Sequence, residues 1–260
     1  MIKTVVKISI ILFVFLFFVC SNPVNNNNNS NPITQDAGTI TDIDGNVYHT
    51  IKIGNQVWTV ENLRVTKYND GSPIALITST EIWAYATTPK YCFYEDITSS
   101  DNIKKYGALY NWYVVSPANH KKIAPAGWHV PSEAEWDTLQ NYLIVNGYNW
   151  DGTTTGNKIA KSLAAKTDWR IYSTTESIGC ELEKNNSSGF SGLPGGYRSS
   201  NDGKFYSQNN YGYWWSTTEG VVYLAKATTA YLRLLGYDHG NLNSLYIDKG
   251  YCNSVRLVRD

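Results

Sequence analysis

Helical periodicity is confined to the middle of this chain, and that confinement limits the fold more than any other feature. From Gly38 to Leu63, GTITDIDGNVYHTIKIGNQVWTVENL sets β-prone residues around two turn signals, DGN and GNQ, which predicts consecutive antiparallel strands. KYCFYE and KKYGALYNWYVV predict further strands, while STEIWAYATT fits a short helix or an irregular segment. Trp136, Leu139 and Leu143 then recur at helical spacing and Gly147 supplies a stop. Ser132 and Glu135 stand in the capping-box pattern at the start of that helix, with Pro131 just before the cap. A second helix is predicted over NKIAKSLAAK. From Gly189 no helical period survives: GFSGLPGGYRSSNDGKFYSQNNYGYWWSTTEG reads as turns and short aromatic strands, followed by strands in AYLRLLGY, LNSLYID and NSVRLVRD. Strands, two helices and strands again, without alternating β and α units, predict an α+β class and exclude a doubly wound sheet. Residues 38–260 carry no internal repeat and no linker, so they are expected to form a single domain.

The N-terminal segment is a separate matter. MIKTVVKISIILFVFLFFVC places Lys3 and Lys7 before an uncharged run from Ile8 to Val19, which is short for a bilayer span and fits an export signal over residues 1–19. A retained membrane anchor is the lesser alternative. The run ends at Cys20, followed by SNPVNNNNNSNPITQD, a polar stretch that cannot bury enough apolar surface to fold. This resembles a bacterial lipoprotein, in which Cys20 carries lipid and residues 20–37 form a flexible tether. Val19 departs from the small residue usual before such a cysteine. Each buried methylene of a lipid contributes roughly 0.8 kcal/mol to anchoring. The expected location is the bacterial cell envelope, as an outer-membrane lipoprotein.

Charge and motifs narrow the function classes. The chain has 22 basic and 22 acidic residues; without Lys3 and Lys7 the balance is 20 against 22, or −2, and no basic stripe suggests nucleic acid. Asp42, Asp44 and Asn46 have calcium-loop spacing, but Val47 and Ile53 occupy the positions that need glycine and glutamate, so a hairpin turn is expected there. Pro131 lies between His129 and Glu133, which rules out the shared helix face of an H-E-x-x-H metal site. His129 is therefore expected to be a scaffold residue, and Trp128 and Trp136 to pack the interior. No phosphate loop, nucleophile elbow or C-x-x-C is present, so neither a metal nor a cofactor is expected.

Several blocks carry a resemblance: TDIDGNVYHTIKIGNQVWTVENLRVTKYNDGSPI, YGALYNWYVV, APAGWHVPSEAEWDTL, GFSGLPGGYRSSNDGKFY, GYWWSTTE and SVRLVRD. Their order and spacing resemble the Fibrobacter succinogenes major paralogous domain, over nearly all of residues 38–260. The resemblance implies an exported lipoprotein and a C-type lectin-like fold, with remote similarity to the formylglycine-generating enzymes. Members commonly carry cysteines where this chain has Ala124 and Leu257, implying one disulfide replaced by an apolar pair. Cys92 matches a family position; Cys180 and Cys252 do not, and are expected to pair with each other. Those two cysteines could alternatively be offered as a copper-binding pair like that of the enzymes, but SIGCELE and GYCNSV lack the enzymes' pattern.

The resulting expectation is a non-enzymatic binding or adhesion module. Between Tyr197 and Asn243 the chain is rich in Tyr, Trp, Asn, Gly and Ser, a composition that supplies rigid aromatic platforms and adaptable hydrogen bonds. Tyr197, Tyr211, Tyr213 and Trp214 are the candidate platforms; the alternative is that Trp214, Trp215 and Tyr213 belong to the core. Arg198, Asn201, Asp202 and Asp238 are the candidate polar contacts. The expected ligand is a carbohydrate or a surface protein; the calcium-lectin signatures E-P-N, Q-P-D and W-N-D are absent. A purely structural envelope role is the alternative.

Overall fold

A computed structural model describes residues 35–79, 86–220 and 228–260. The signal segment, Cys20 and most of the tether lie outside the described residues, as does most of STEIWAYATT.

The first strands form the expected meander: β1 (Gln35–Thr41), β2 (Val47–Ile53) and β3 (Gln56–Thr59), paired antiparallel. β1 starts three residues ahead of the expected domain boundary, with a bulge between Asp36 and Gly38. The DIDGN segment is a hairpin turn. Asp42 Oδ1 accepts the backbone N–H groups of Asp44 and Asn46 at 3.0 and 2.9 Å, and its Oδ2 accepts the Tyr48 hydroxyl at 2.6 Å. Gly54 must be glycine because its φ is 62° and a Cβ there would come within 2.7 Å of the Tyr142 ring.

The middle of the chain supplies short strands β4 (Ala75–Leu76), β5 (Lys90–Cys92), β6 (Leu109–Asn111) and β7 (Trp128–His129). Helices α1 (Ser100–Tyr106), α2 (Trp112–Val115), α3 (Glu133–Val145) and α4 (Ala160–Leu163) are interspersed. Helix α3 carries the predicted capping box: Ser132 Oγ accepts the Glu135 N–H, and Glu135 Oε2 accepts the Ser132 N–H at 2.7 Å. It buries Trp136, Leu139 and Leu143, the three residues that set the period. Two expectations change. The second helix shrinks to the single turn of α4. The strand expected over KKYGALYNWYVV is reduced to β6, because the Trp112 N–H bonds the Lys249 carbonyl and its indole bonds the Ser216 carbonyl, which turns the chain into α2.

The C-terminal part forms β8 (Gly195–Arg198), β9 (Phe205–Gln208), β10 (Tyr211–Glu219), β11 (Thr229–Gly236), β12 (Asn243–Asp248), β13 (Cys252–Asn253) and β14 (Val258–Arg259). Among the described residues three sheets result, in the orders β1-β2-β3-β14-β7, β10-β11-β12 and β4-β5-β6-β13-β8-β9. Apart from β4 with β5, the strand pairs are antiparallel, so the class is α+β with a predominance of β. Among the described residues no helix is long and apolar enough to cross a membrane.

Among the described residues two large apolar clusters, and a smaller one around Cys92, form the interior. One holds Tyr48, Tyr110, Trp112, Trp215, Leu232 and Leu257; Ala124 is buried in it too, so the two positions where the resemblance implies a cysteine pair belong to one packed region. The other holds Trp58, Trp136, Phe190, Trp214 and the apolar face of α3. Trp128 only half enters, packing against the edge of the first cluster. Buried arginines tie the layers together. Arg256 donates to the carbonyls of Thr59, Phe190 and Ser191 and to Asn62 Oδ1. Arg233 in β11 meets Glu133 and Asp137 of α3 at 2.6 Å each.

Candidate functional site

Strand alternation decides which aromatics reach solvent. In the hairpin of β8 and β9, Tyr197 stands opposite Tyr206 and Arg198 opposite Phe205, so the two pairs point to opposite faces. The tyrosines face outward, 5.6 Å apart between ring centroids. Arg198 is fully buried over the Phe205 ring and donates to the carbonyls of Gly203, Ile77 and Thr78. It is therefore a scaffold residue and not the ligand contact expected of it. In β10, Tyr211 and Tyr213 are half-buried on one side, while Gly212 and Trp214 point inward on the other. Trp214 lies in the second core cluster and donates to Asn62 Oδ1 at 2.9 Å, so it too is removed from the candidate platforms. Trp215 is core, as considered above.

The outward tyrosines surround a hollow of about 560 Å³. It is lined by Tyr197, Asn201 and Tyr213, by Thr229 of β11 and Leu245, Tyr246, Ile247 and Asp248 of β12, and by Tyr251. Tyr197 packs edge-on against Tyr213 at 5.1 Å and tilted against Tyr251 at 5.6 Å. The Asn201 amide donates to the Tyr251 hydroxyl at 2.9 Å. Asp202 sits at the rim, where its Oδ2 accepts the Tyr206 hydroxyl at 2.6 Å; that hydrogen bond holds the Asp202 carboxyl below its usual range. Burial, and next the neighbouring Tyr251, push the Tyr197 hydroxyl up; burial and Tyr197 do the same to Tyr213. Both phenols thus stay neutral near pH 7, able to donate and accept.

Tyr211 and Asp238 occupy the flank of the same face. The Tyr211 hydroxyl donates to Asp238 Oδ2 at 3.4 Å, and Asp238 Oδ1 meets His239 Nδ1 at 2.7 Å. Among the predicted residues, the structure therefore brings Tyr197, Asn201 and Tyr213 together in the hollow, sets Asp202 at its rim, and places Tyr211 and Asp238 beside it. Tyr246, Tyr251 and Asp248 were missed, although consecutive apolar residues in LNSLYID were a usable signal: Leu245 is 40% and Tyr246 49% exposed on the outermost strand of its sheet.

A second cavity, of about 500 Å³, lies beside the helix-start block and is lined in part by Val115, Ile123, Trp128, His129 and Asp260. His129 converges with carboxylates here, hydrogen-bonded through both ring nitrogens but only partly buried. Its Nε2 is 2.6 Å from Glu135 Oε1 and its Nδ1 is 2.6 Å from Asp260 Oδ1. Burial opposes a charge on the ring, but the hydrogen bonds to Asp260 and Glu135 outweigh it and raise the imidazole pKa. With a carboxylate on each nitrogen, the ring donates through both while it is protonated and then presents no lone pair. Glu135 is occupied as well, since its Oε2 takes the Ser132 N–H and hydroxyl. Among the described residues no group of three or more His, Cys, Asp or Glu side chains could hold a metal ion.

The cysteines also depart from expectation. Cys252 is a free buried thiol, so the pair with Cys180 does not form. Antiparallel pairing of β13 with β6, and of β6 with β5, instead carries Cys252 to the Cys92 thiol, which it reaches as a hydrogen-bond partner in a small cluster with Tyr94 and Leu109. Burial, and next Cys92, push the Cys252 thiol well up, the reverse of what a reactive thiolate needs.

No curated protein and no solved structure is significantly similar to the chain. One family model does match, and it covers the helix-start block, the tyrosine hairpin and the closing strand. The chain belongs to the Fibrobacter succinogenes major domain family, whose model matches residues 51–259.

Proposed function

We propose that this protein is an exported binding or adhesion module, tethered to the cell envelope through lipid on Cys20, which captures a carbohydrate or a surface protein on its tyrosine face. One observation carries the reading: aromatic side chains from β8, β10, β12 and the segment after β12 converge on an open hollow, where Tyr246 is half exposed. Buried core aromatics need no such opening, and exposed apolar patches of this kind mark interaction sites. Tyrosine suits the task, because a rigid ring offers stacking area at low entropic cost and its hydroxyl fixes orientation. The lectin-like fold, and with it the remote likeness to the formylglycine-generating enzymes, belongs to the same proposal; its support is the loop-rich C-terminal half and the pairing of β3 with the final strand.

The test is a glycan array together with pull-down from envelope proteins, using the wild type and Tyr251→Ala. Capture that weakens at least tenfold in the variant supports the reading. Equal capture by both proteins would overturn it. A second reading, an enzyme acting at the His129 cavity, is favoured only by the convergence of Glu135 and Asp260 on that ring. Hydrolysis of an ester or peptide substrate by the purified protein, abolished by His129→Gln, would select it.

A further inference from the structure

The tyrosines do not stop at the hollow. From Tyr206 the ring contacts run through Tyr197, Tyr213, Tyr211 and Tyr237 to Tyr172, with successive centroids 5.6, 5.1, 6.2, 5.9 and 5.4 Å apart. The two ends, Tyr206 and Tyr172, are 39% and 40% exposed, so the row surfaces at both extremities. Its course depends on glycine: a Cβ on Gly236 would meet Tyr211 Cε1 at 2.7 Å, so only a bare backbone lets that ring lie across β11. The rings also pack on one another, and Arg170 lies over Tyr237 at 5.1 Å from its centroid, so the row is ordered before any ligand arrives.

We infer that the ligand of this face is a neutral glycan chain that lies along the tyrosine row and engages several successive sugars; the inference rests on the face being the binding site. Three observations support it. The site is a row of six rings in edge-on or tilted contact, which a single sugar would leave mostly unused. Hydrogen-bonding groups are spread along it, with Asn201 and Asp202 at one end, Asp248 in the hollow and Asp238 with His239 on the far flank. Carboxylates accept from paired hydroxyls, and their prevalence repels uronic or sulfated chains. A folded protein partner would need a larger continuous apolar patch than a one-ring-wide row provides.

The experiment is calorimetric titration of the full-length protein with β-1,4-linked gluco-, manno- and xylo-oligosaccharides, from disaccharide to hexasaccharide, and with a polyuronic oligomer as the charged comparison. The expected result is at least a tenfold gain in affinity from disaccharide to hexasaccharide in a neutral series. Tyr172→Ala, at a position 40% exposed, should erase most of that gain, with Tyr172→Phe retaining it. Tyr251→Ala should weaken every length, and Val145→Ser, on the exposed end of α3, should change nothing. Affinity independent of length would overturn the chain reading while leaving the hollow as a single-sugar site. A preference for the uronic oligomer would overturn neutrality, and failure of every oligosaccharide would remove the carbohydrate reading altogether.

Discussion

Replacing Arg256 with methionine should remove a central tie of the domain. The guanidinium is fully buried and donates through Nη1 to Thr59 O at 2.7 Å and Phe190 O at 2.9 Å, through Nη2 to Ser191 O at 3.1 Å, and through Nε to Asn62 Oδ1 at 2.8 Å. Asn62 Oδ1 keeps a second donor, the Trp214 indole at 2.9 Å. The three carbonyls lose this donor, and each such loss costs about 1–3 kcal/mol when the group stays dry. Two effects offset this sum: methionine brings no charge to desolvate, and burial already disfavours the cation, drawing its pKa down. A net loss of about 3–5 kcal/mol is expected, a large part of a typical stability of about 5–15 kcal/mol. Arg256→Lys should fall between the two, because an ammonium cannot reproduce the fork. Urea unfolding followed by tryptophan fluorescence would measure both changes as shifts in midpoint at constant slope. A methionine variant within about 1 kcal/mol of wild type would refute the reasoning, since that is the scale of ordinary mutational noise.

Three further outcomes can be checked on the same protein. Ser132→Ala should destabilise by about 1 kcal/mol in the same urea assay, as loss of a helix cap does. His129 has a raised pKa in the fold, so its contribution is complete below about pH 6.5 and is lost as pH rises through the folded value; Glu135, held low because hydrogen bonds from Ser132 and His129 outweigh burial, contributes above its own unfolded value and loses that as pH falls. The ring is well exposed, so the effect should stay under about 1 kcal/mol, and His129→Gln should flatten the alkaline decline in a melting-temperature profile. Cys92 and Cys252 should resist iodoacetamide in the native protein and react on unfolding, as mass spectrometry of labelled peptides would report; rapid native labelling would contradict their burial.

What could be read from the sequence was local. The Ser132–Glu135 box and the period of Trp136, Leu139 and Leu143 lie within a dozen residues, and helix α3 forms as expected. The DIDGN turn closes on Asp42 for the same reason. Arg198 was misread because the carbonyls of Ile77 and Thr78 that hold it lie some 120 residues away in sequence. Trp214 was misread because two adjacent tryptophans in β10 feed opposite clusters, an arrangement that alternation alone does not distinguish from one buried and one exposed ring. Tyr172, at one end of the tyrosine row, and Tyr246 and Tyr251, in the hollow, escaped notice since they fall outside the stretch from Tyr197 to Asn243 and reach the face only through tertiary packing. The Cys252–Cys92 approach depends on two strand pairings through β6, which no spacing in the chain reveals.

The most direct test of the tyrosine face compares hexasaccharide affinity in the wild type, a Tyr197→Ala/Tyr251→Ala double variant, and His129→Gln at the other cavity, with melting temperature recorded for each. Loss of at least tenfold in the double variant alone, with all three proteins folded, is the predicted result. Retained affinity in the double variant, or loss confined to His129→Gln, would contradict the assignment of binding to this face.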